Sequence, residues 1–512
     1  MSEVVIAPEL DYKIKSLSHS SYQLTQIFQQ IGLPTVTLGS SGGPDSIFQI
    51  PDCAFNLSES MLNFTLTPPV TTGANNANWV YVNCIAPIRQ LQLYTDQGLY
   101  LADLYDVGNY TNMIFKYETK NEDLQTTPSL FNNVADPTGF EGLMPCGVIA
   151  NSPLNTIVAA TNSFKLARPT PWANTLGGNT VGYGINSYSE SAYVLPGSKA
   201  DASPTPVINF KIPMRKLKNT IFGLDKTLCF GRILYLRVVW QATGKIGYQS
   251  VSTGTAAGNA VPQLNPQWYT DTNIVGTPTA WAGNVSISNL YFYLAKEQNI
   301  VIESELRRKM SSPEGFKLMV PWVSQFKQNI PASQLNNLTM RFTNALGRRL
   351  LKIYWAPYNA SESTCYAYDH NALYTVDNGV ANGQASDRQK VNSFYTLVNN
   401  TRTSQYNYSV NAGYNTDYDA RKDKLKGSSV LSQNEYYYDF VWCEDFTGNE
   451  SMTDTPSDQA PYVDGLDISN GEVKYDIFVT QGGNGNYVNV NMYVYAVTLK
   501  EMVINSSGIS LF

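Results

Sequence analysis

The sequence predicts an all-β chain made of two tandem β-sandwiches with long loop insertions and few short helices. Three observations carry that expectation: the composition, a period-two apolar alternation, and an internal repeat. Only 15% of the 512 residues are charged, against roughly 25% for an average soluble protein. Tyr supplies 34 positions and 43% of the chain is hydrophobic, enough for sizeable cores and against disorder. A formal net charge of −6 excludes a generally basic nucleic-acid binder. No stretch approaches the roughly 18 uncharged apolar residues of a membrane span. The opening Met1-Ser2-Glu3-Val4-Val5-Ile6 has no basic segment leading into an apolar run, so no secretory signal is expected.

Residues 1–35 read as an N-terminal arm. The first 55 residues contain no Asn, which is abundant afterwards. Leu24, Ile27, Phe28 and Ile31 follow helical spacing, and Gly32 and Pro34 would stop a short amphipathic helix there. Glu3, Glu9 and Asp11 nearly balance Lys13 and Lys15, so the arm is not a basic genome-binding tail. Beyond it, alternation dominates: 61–67, 89–94, 208–213 and 233–240 all read as half-buried strands. Helices are expected near 103–118 and 299–310. Long polar stretches, about 120–205, 242–283 and 358–430, read as loops with a surface role.

The repeat is the most informative feature. Gly231, Tyr235, Val239 and Gln241 share the pattern G-x3-Y-x3-V-x-Q with Gly471, Tyr475, Val479 and Gln481. Downstream, Asn289, Tyr291 and Tyr293 before Val301-Ile302 match Asn491, Tyr493 and Tyr495 before Val503-Ile504. Upstream, Arg89, Leu91, Leu93 and Tyr94 resemble Arg349, Leu351, Ile353 and Tyr354. Order is kept while spacing differs, as when a duplicated β-domain keeps its sheets and lets its loops grow. In 491–497, Met492, Val494 and Ala496 alternate with Tyr493, Tyr495 and Val497, so both faces are apolar and the strand should be covered on both sides. Eight antiparallel strands packed as two sheets make a jelly roll. The expected domains are the arm (1–35), a first jelly roll ending in a linker helix (36–310) and a second (311–512).

At 208–214, 221–226 and 231–236 the first half resembles the late strands of a first jelly roll in the double jelly-roll major capsid proteins. These belong to tailless icosahedral double-stranded DNA viruses, the lineage of virophages, polinton-like viruses, adenovirus and membrane-containing phages. Arg348-Arg349-Leu350-Leu351-Lys352-Ile353-Tyr354-Trp355-Ala356-Pro357-Tyr358 is most similar to the virophage and polinton-like members. The resemblance implies a non-enzymatic virion protein whose homotrimer, a capsomer of pseudo-sixfold outline, tiles a shell. Its implied partners are itself, neighbouring capsomers, minor capsid or penton proteins and an internal membrane, with no sequence-specific nucleic acid.

Residue patterns that could carry chemistry are weak. Gly39-Ser40-Ser41-Gly42-Gly43 lacks the Lys-Ser/Thr ending of a phosphate loop and reads as a flexible joint. Asp369-His370 has no nucleophile elbow beside it, and the two histidines, His19 and His370, stand at no metal-binding spacing. The six cysteines (Cys53, Cys84, Cys146, Cys229, Cys365 and Cys443) form no C-x-x-C pair and read as reduced, mostly buried thiols. Sequons at Asn56, Asn63 and Asn337 are expected by chance. Glu435, Asp439, Glu444 and Asp445 lie among aromatics as paired carboxylates of a glycoside hydrolase would. Arg307-Arg308-Lys309 closes a helix, and 421–426 is a basic loop. No catalytic residue, metal or cofactor is expected. A trimeric fibre or glycan-binding adhesin, and a β-sandwich carbohydrate enzyme, are the alternative functions.

Overall fold

The computed structural model describes residues 21–31, 35–69, 77–80, 87–118, 173–176, 179–183, 193–194, 208–250, 279–281, 283–312, 314–330, 335–359, 391–409, 441–447, 465–481 and 490–512. Eight main strands build the first sandwich: β1 (Tyr22–Ile31), β2 (Ser46–Ile50), β3 (Phe55–Thr67), β4 (Ile88–Thr95), β5 (Tyr100–Tyr105), β6 (Ile208–Pro213), β7 (Leu234–Trp240) and β8 (Val285–Glu297). Eight more build the second: β9 (Phe316–Ile330), β10 (Leu335–Phe342), β11 (Arg349–Asn359), β12 (Val391–Val398), the interrupted β13 (Thr401–Arg402 and Tyr408–Ser409), β14 (Trp442–Asp445), β15 (Val473–Gln481) and β16 (Val490–Asn505). Helix α1 (Val107–Glu118) follows β5, and α2 (Ile300–Met310) joins the sandwiches.

Strand order is the same in both. One sheet runs β1-β8-β3-β6 and the other β2-β7-β4-β5; in the second half β9-β16-β11-β14 faces β10-β15-β12-β13. First, eighth, third and sixth strands pair in one sheet, and second, seventh, fourth and fifth in the other. All sixteen therefore make two antiparallel jelly rolls.

The alternation forms these strands for the expected reason. In β7, Leu234, Leu236, Val238 and Trp240 are buried while Tyr235, Arg237 and Val239 are half-buried, the period of two that separates sheet faces. Helix α2 is capped by Asn299, whose side chain accepts from the Val301 N–H at 3.0 Å. Glu303 lies in its first turn and Arg307, Arg308 and Lys309 in its last, matching the helix dipole. The buried Glu297 accepts from the backbone N–H of Ser21 at 3.0 Å and of Asn299 at 2.9 Å, tying the start of β1 to the end of β8.

The two downstream repeat blocks fall on equivalent strands. Residues 231–241 and 471–481 include the seventh strands, and 289–295 and 491–497 lie within the eighth. The upstream match does not hold: Arg89 starts the alternation of β4, a fourth strand, and Arg349 that of β11, a third strand. Any buried strand opening with Arg and alternating Leu or Ile gives that pattern, so it reports burial and not descent.

The helix expected at 22–31 is a strand. β1 pairs with β8 from Tyr22↔Glu297 to Phe28↔Tyr291 and then, past a bulge, with β2 at Gln29↔Phe48. A ten-residue helix is marginal alone, whereas two neighbouring strands supply a ladder that no local pattern displays. The glycine run is a tight turn and not a flexible joint. Gly39 and Gly42 exchange backbone hydrogen bonds of 2.8 and 3.1 Å. Gly42 has φ +97°, and a Cβ there would stand 2.9 Å from the Trp240 carbonyl oxygen. The long polar stretches also carry structure: β12 and β13 lie within 358–430, and Tyr193–Val194, Gly247–Ser250 and Thr279–Ala280 join Ala77–Val80 in a small separate sheet.

Deleting residues 1–35 removes β1 and should abolish soluble, cooperatively melting protein. Recovery of a full thermal transition from the truncated chain would contradict the pairing. Trp355→Ala should cost ~3–5 kcal/mol in urea unfolding, because the ring is fully buried and packs edge-on to Phe394 at 5.0 Å.

Candidate functional site at the junction of the sandwiches

Alternation along β16 serves two cores. Met492, Val494 and Ala496 enter the interior of the second sandwich with Ile353, Trp355 and Trp442. Tyr493, Tyr495, Val497 and Leu499 join a continuous core that runs into the first sandwich. The two-sided burial expected from the sequence is therefore present, and the outer cover comes from the first sandwich.

The segment after β5 provides that cover. Val107, Tyr110, Met113, Ile114 and Tyr117 of α1 are all buried, at helical spacing. Tyr110 stacks obliquely on Tyr495 at 5.3 Å and donates its hydroxyl to the Lys218 carbonyl at 2.8 Å. Tyr117 packs on Tyr354 at 6.2 Å and donates to the Val441 carbonyl at 2.5 Å. At the head of the helix, Gln325 Nε2 donates to Asp106 Oδ2 at 2.8 Å and to the Tyr495 hydroxyl at 3.2 Å. That hydroxyl in turn donates to the Asp106 carbonyl at 3.2 Å. Aromatic bodies supply buried area and their polar tips fix the register. Sequence reasoning singled out Tyr493 and Tyr495 but missed Asp106, Tyr110, Tyr117 and Gln325. Their partners lie hundreds of residues away, and no local pattern marks them.

Among the residues weighed for chemistry, those that are described have structural partners. Glu444 is buried, and its Oε2 accepts from Trp442 Nε1 at 3.0 Å and Thr396 Oγ1 at 3.3 Å. Asp445 pairs with the buried Lys352 at 3.3 Å and accepts from the Thr447 N–H at 2.9 Å. Glu435 and Asp439 lie outside the described residues, as do Asp369, His370, His19 and 421–426. In the basic run, Arg307 bridges Glu303 at 2.9 Å and Asp52 at 3.0 Å, and Arg308 meets Glu305 at 2.8 Å. Asn56 is buried and donates to Asp225 at 2.8 Å, which closes that sequon to glycosylation. Cys53 and Cys229 are buried free thiols and Cys443 is buried; Cys84, Cys146 and Cys365 lie outside the described residues. Burial pushes the Cys53 thiol up to about 11 and raises that of Cys229. Among the described residues no group of metal-ligating side chains gathers, and no helix is long and apolar enough to cross a membrane.

No protein-family model matches the sequence, and no curated protein matches it. Among solved structures, the chain is similar to the Faustovirus major capsid protein at 11% identity, over 98% of this chain and 93% of that one, with a TM-score of 0.49. The Sputnik virophage structure is similar at 10% identity over 99% and 92%, with a TM-score of 0.45. The mavirus major capsid protein is similar at 9% identity over 100% and 96%, with a TM-score of 0.42. The fold follows from the strand order above, independently of these similarities.

Tyr117→Phe leaves the Val441 carbonyl without its buried donor and should lower stability by about 1–3 kcal/mol in denaturant unfolding. Cys53 should resist iodoacetamide at pH 8 in the folded protein and react on denaturation, because its pKa near 11 leaves little thiolate. Peptide mapping that found native Cys53 alkylated would contradict this.

Proposed function

We propose that the chain is a major capsid protein, a structural and non-enzymatic component of a virion shell. One observation carries the reading: a chain of two like-ordered eight-stranded sandwiches locked through one continuous core. Such a chain delivers two equivalent wall units in fixed relation, and a homotrimer of it supplies six. That gives a pseudo-hexagonal capsomer able to tile an icosahedral lattice. The first unit corresponds to 36–310, with β1 added to it, and the second to 311–512. Symmetric reuse of one contact makes a shell stable from modest individual interfaces. The resemblance at 208–236 and 348–358 points the same way. Minor capsid or penton proteins and an internal membrane are the further partners that this role implies.

Sedimentation and negative-stain microscopy of the purified full chain test the proposal. The expected species has the mass of three chains of 56.7 kDa and forms hexagonal plates or shells on concentration. Slender knobbed trimers would favour a fibre, and a compact monomer that cleaves sugars would favour an enzyme; either overturns the reading.

A further inference from the structure

Two buried thiols lie together under the last turns of α2. The chain at Thr227–Leu228 pairs antiparallel with the start of β3, Leu228 against Phe55 and Thr227 against Asn56. Both segments leave that ladder in the same direction, and Phe230 stacks on Phe55 at 5.8 Å. Cys229 and Cys53 sit on these two departing segments, and both are buried free thiols. Facing Cα atoms in such a ladder are about 4.5–5.5 Å apart. Segments leaving it side by side therefore fall within the roughly 4.4–6.8 Å that a disulfide spans.

Helix α2 closes over both. Arg307 donates from Nη1 to Asp52 Oδ2 at 3.0 Å and from Nη2 to the Asp52 carbonyl at 3.2 Å, beside Cys53. One turn on, beside Cys229, a Cβ on Gly231 would stand 2.7 Å from the Met310 methyl. The electrostatics agree with this placement. Burial raises both thiols, against Lys296 on Cys53 and Arg307 on Cys229. Glu303 and Asp52 raise both further, and a Cys229 thiolate raises Cys53 as well. Charges act on one another in this way only as near neighbours.

We propose that Cys53 and Cys229 form a disulfide site that staples the β2–β3 corner to the segment before β7, beneath the linker helix. The inference stands apart from the capsomer reading. The reaction is exchange with a small disulfide such as glutathione disulfide. One protein thiolate attacks it, forming a mixed disulfide and releasing one thiol. The second protein thiolate attacks the protein sulfur of that mixed disulfide and releases the other. Two protein thiols thus give up two electrons and two protons, and the small disulfide leaves as two thiols. Buried thiols exchange only while the chain folds or opens. Once made, the bond closes a loop of more than a third of the chain. Thiols of raised pKa are also poor leaving groups, which slows its reduction.

Incubating the full chain in an oxidising glutathione buffer, at urea just below the unfolding midpoint, tests the site, with a dithiothreitol-treated sample beside it. Digestion without reduction should yield a peptide linked through Cys53 and Cys229, two hydrogens lighter than its two parts. At fixed urea the folded-to-unfolded ratio should be ~10-fold or more above that of the reduced sample. Cys53→Ala should show neither change. Both cysteines recovered as thiols or as separate glutathione adducts, or a gain in stability that Cys53→Ala keeps, overturns the proposal.

Discussion

β16 is buried on both faces, and that single constraint organises the molecule. A strand with Met492, Val494 and Ala496 on one side and Tyr493, Tyr495 and Val497 on the other cannot face water on either. It needs a second sheet inside its own sandwich and a second cover outside. The outer cover is a helix inserted after the fifth strand of the other sandwich, so the sandwiches share one apolar interior instead of meeting at a wet domain boundary. The tyrosine hydroxyls turn that nonspecific burial into one register, because each reaches a particular backbone carbonyl.

Much of this is legible in the sequence where burial and chain position coincide. The eighth strands announce themselves through N-x-Y-x-Y, since every residue of a central strand is constrained by two faces and two neighbours. Helices at 107–118 and 300–310 follow from periodicity and, for the second, from a capping Asn299. β1 was hidden because its residues satisfy a helical stripe and a strand ladder equally well, and only the distant partners Phe48 and Tyr291 decide between them. β12 was hidden for a related reason. Val391-Asn392-Ser393-Phe394-Tyr395-Thr396-Leu397-Val398 lacks strict alternation and lies inside a long polar stretch, yet Phe394 and Thr396 are buried and the strand is held by the β15 ladder.

The candidate carboxylates that the structure describes have structural partners, for an equally physical reason. Acidic residues among aromatics can mark a sugar site, but the same residues satisfy indole and hydroxyl donors that a β-sandwich must bury. Glu444 accepts from Trp442 and Thr396, and a carboxylate so engaged is committed to the interior. The arginines of α2 pair at the surface instead, with Glu303, Asp52 and Glu305.

The pairing of β8 between β1 and β3 has a consequence for how the chain is made. Ser21 and Glu297, which meet at its end, are 276 positions apart. Until the ribosome has released that stretch, one sheet of the first sandwich lacks its central strand, with β1 and β3 presenting open edges to each other and to other nascent chains. Contacts of such long sequence separation form slowly, and unpaired edges invite mispairing. On a polysome crowded with copies of the same product, the late arrival of a single strand therefore governs the balance between native folding and aggregation.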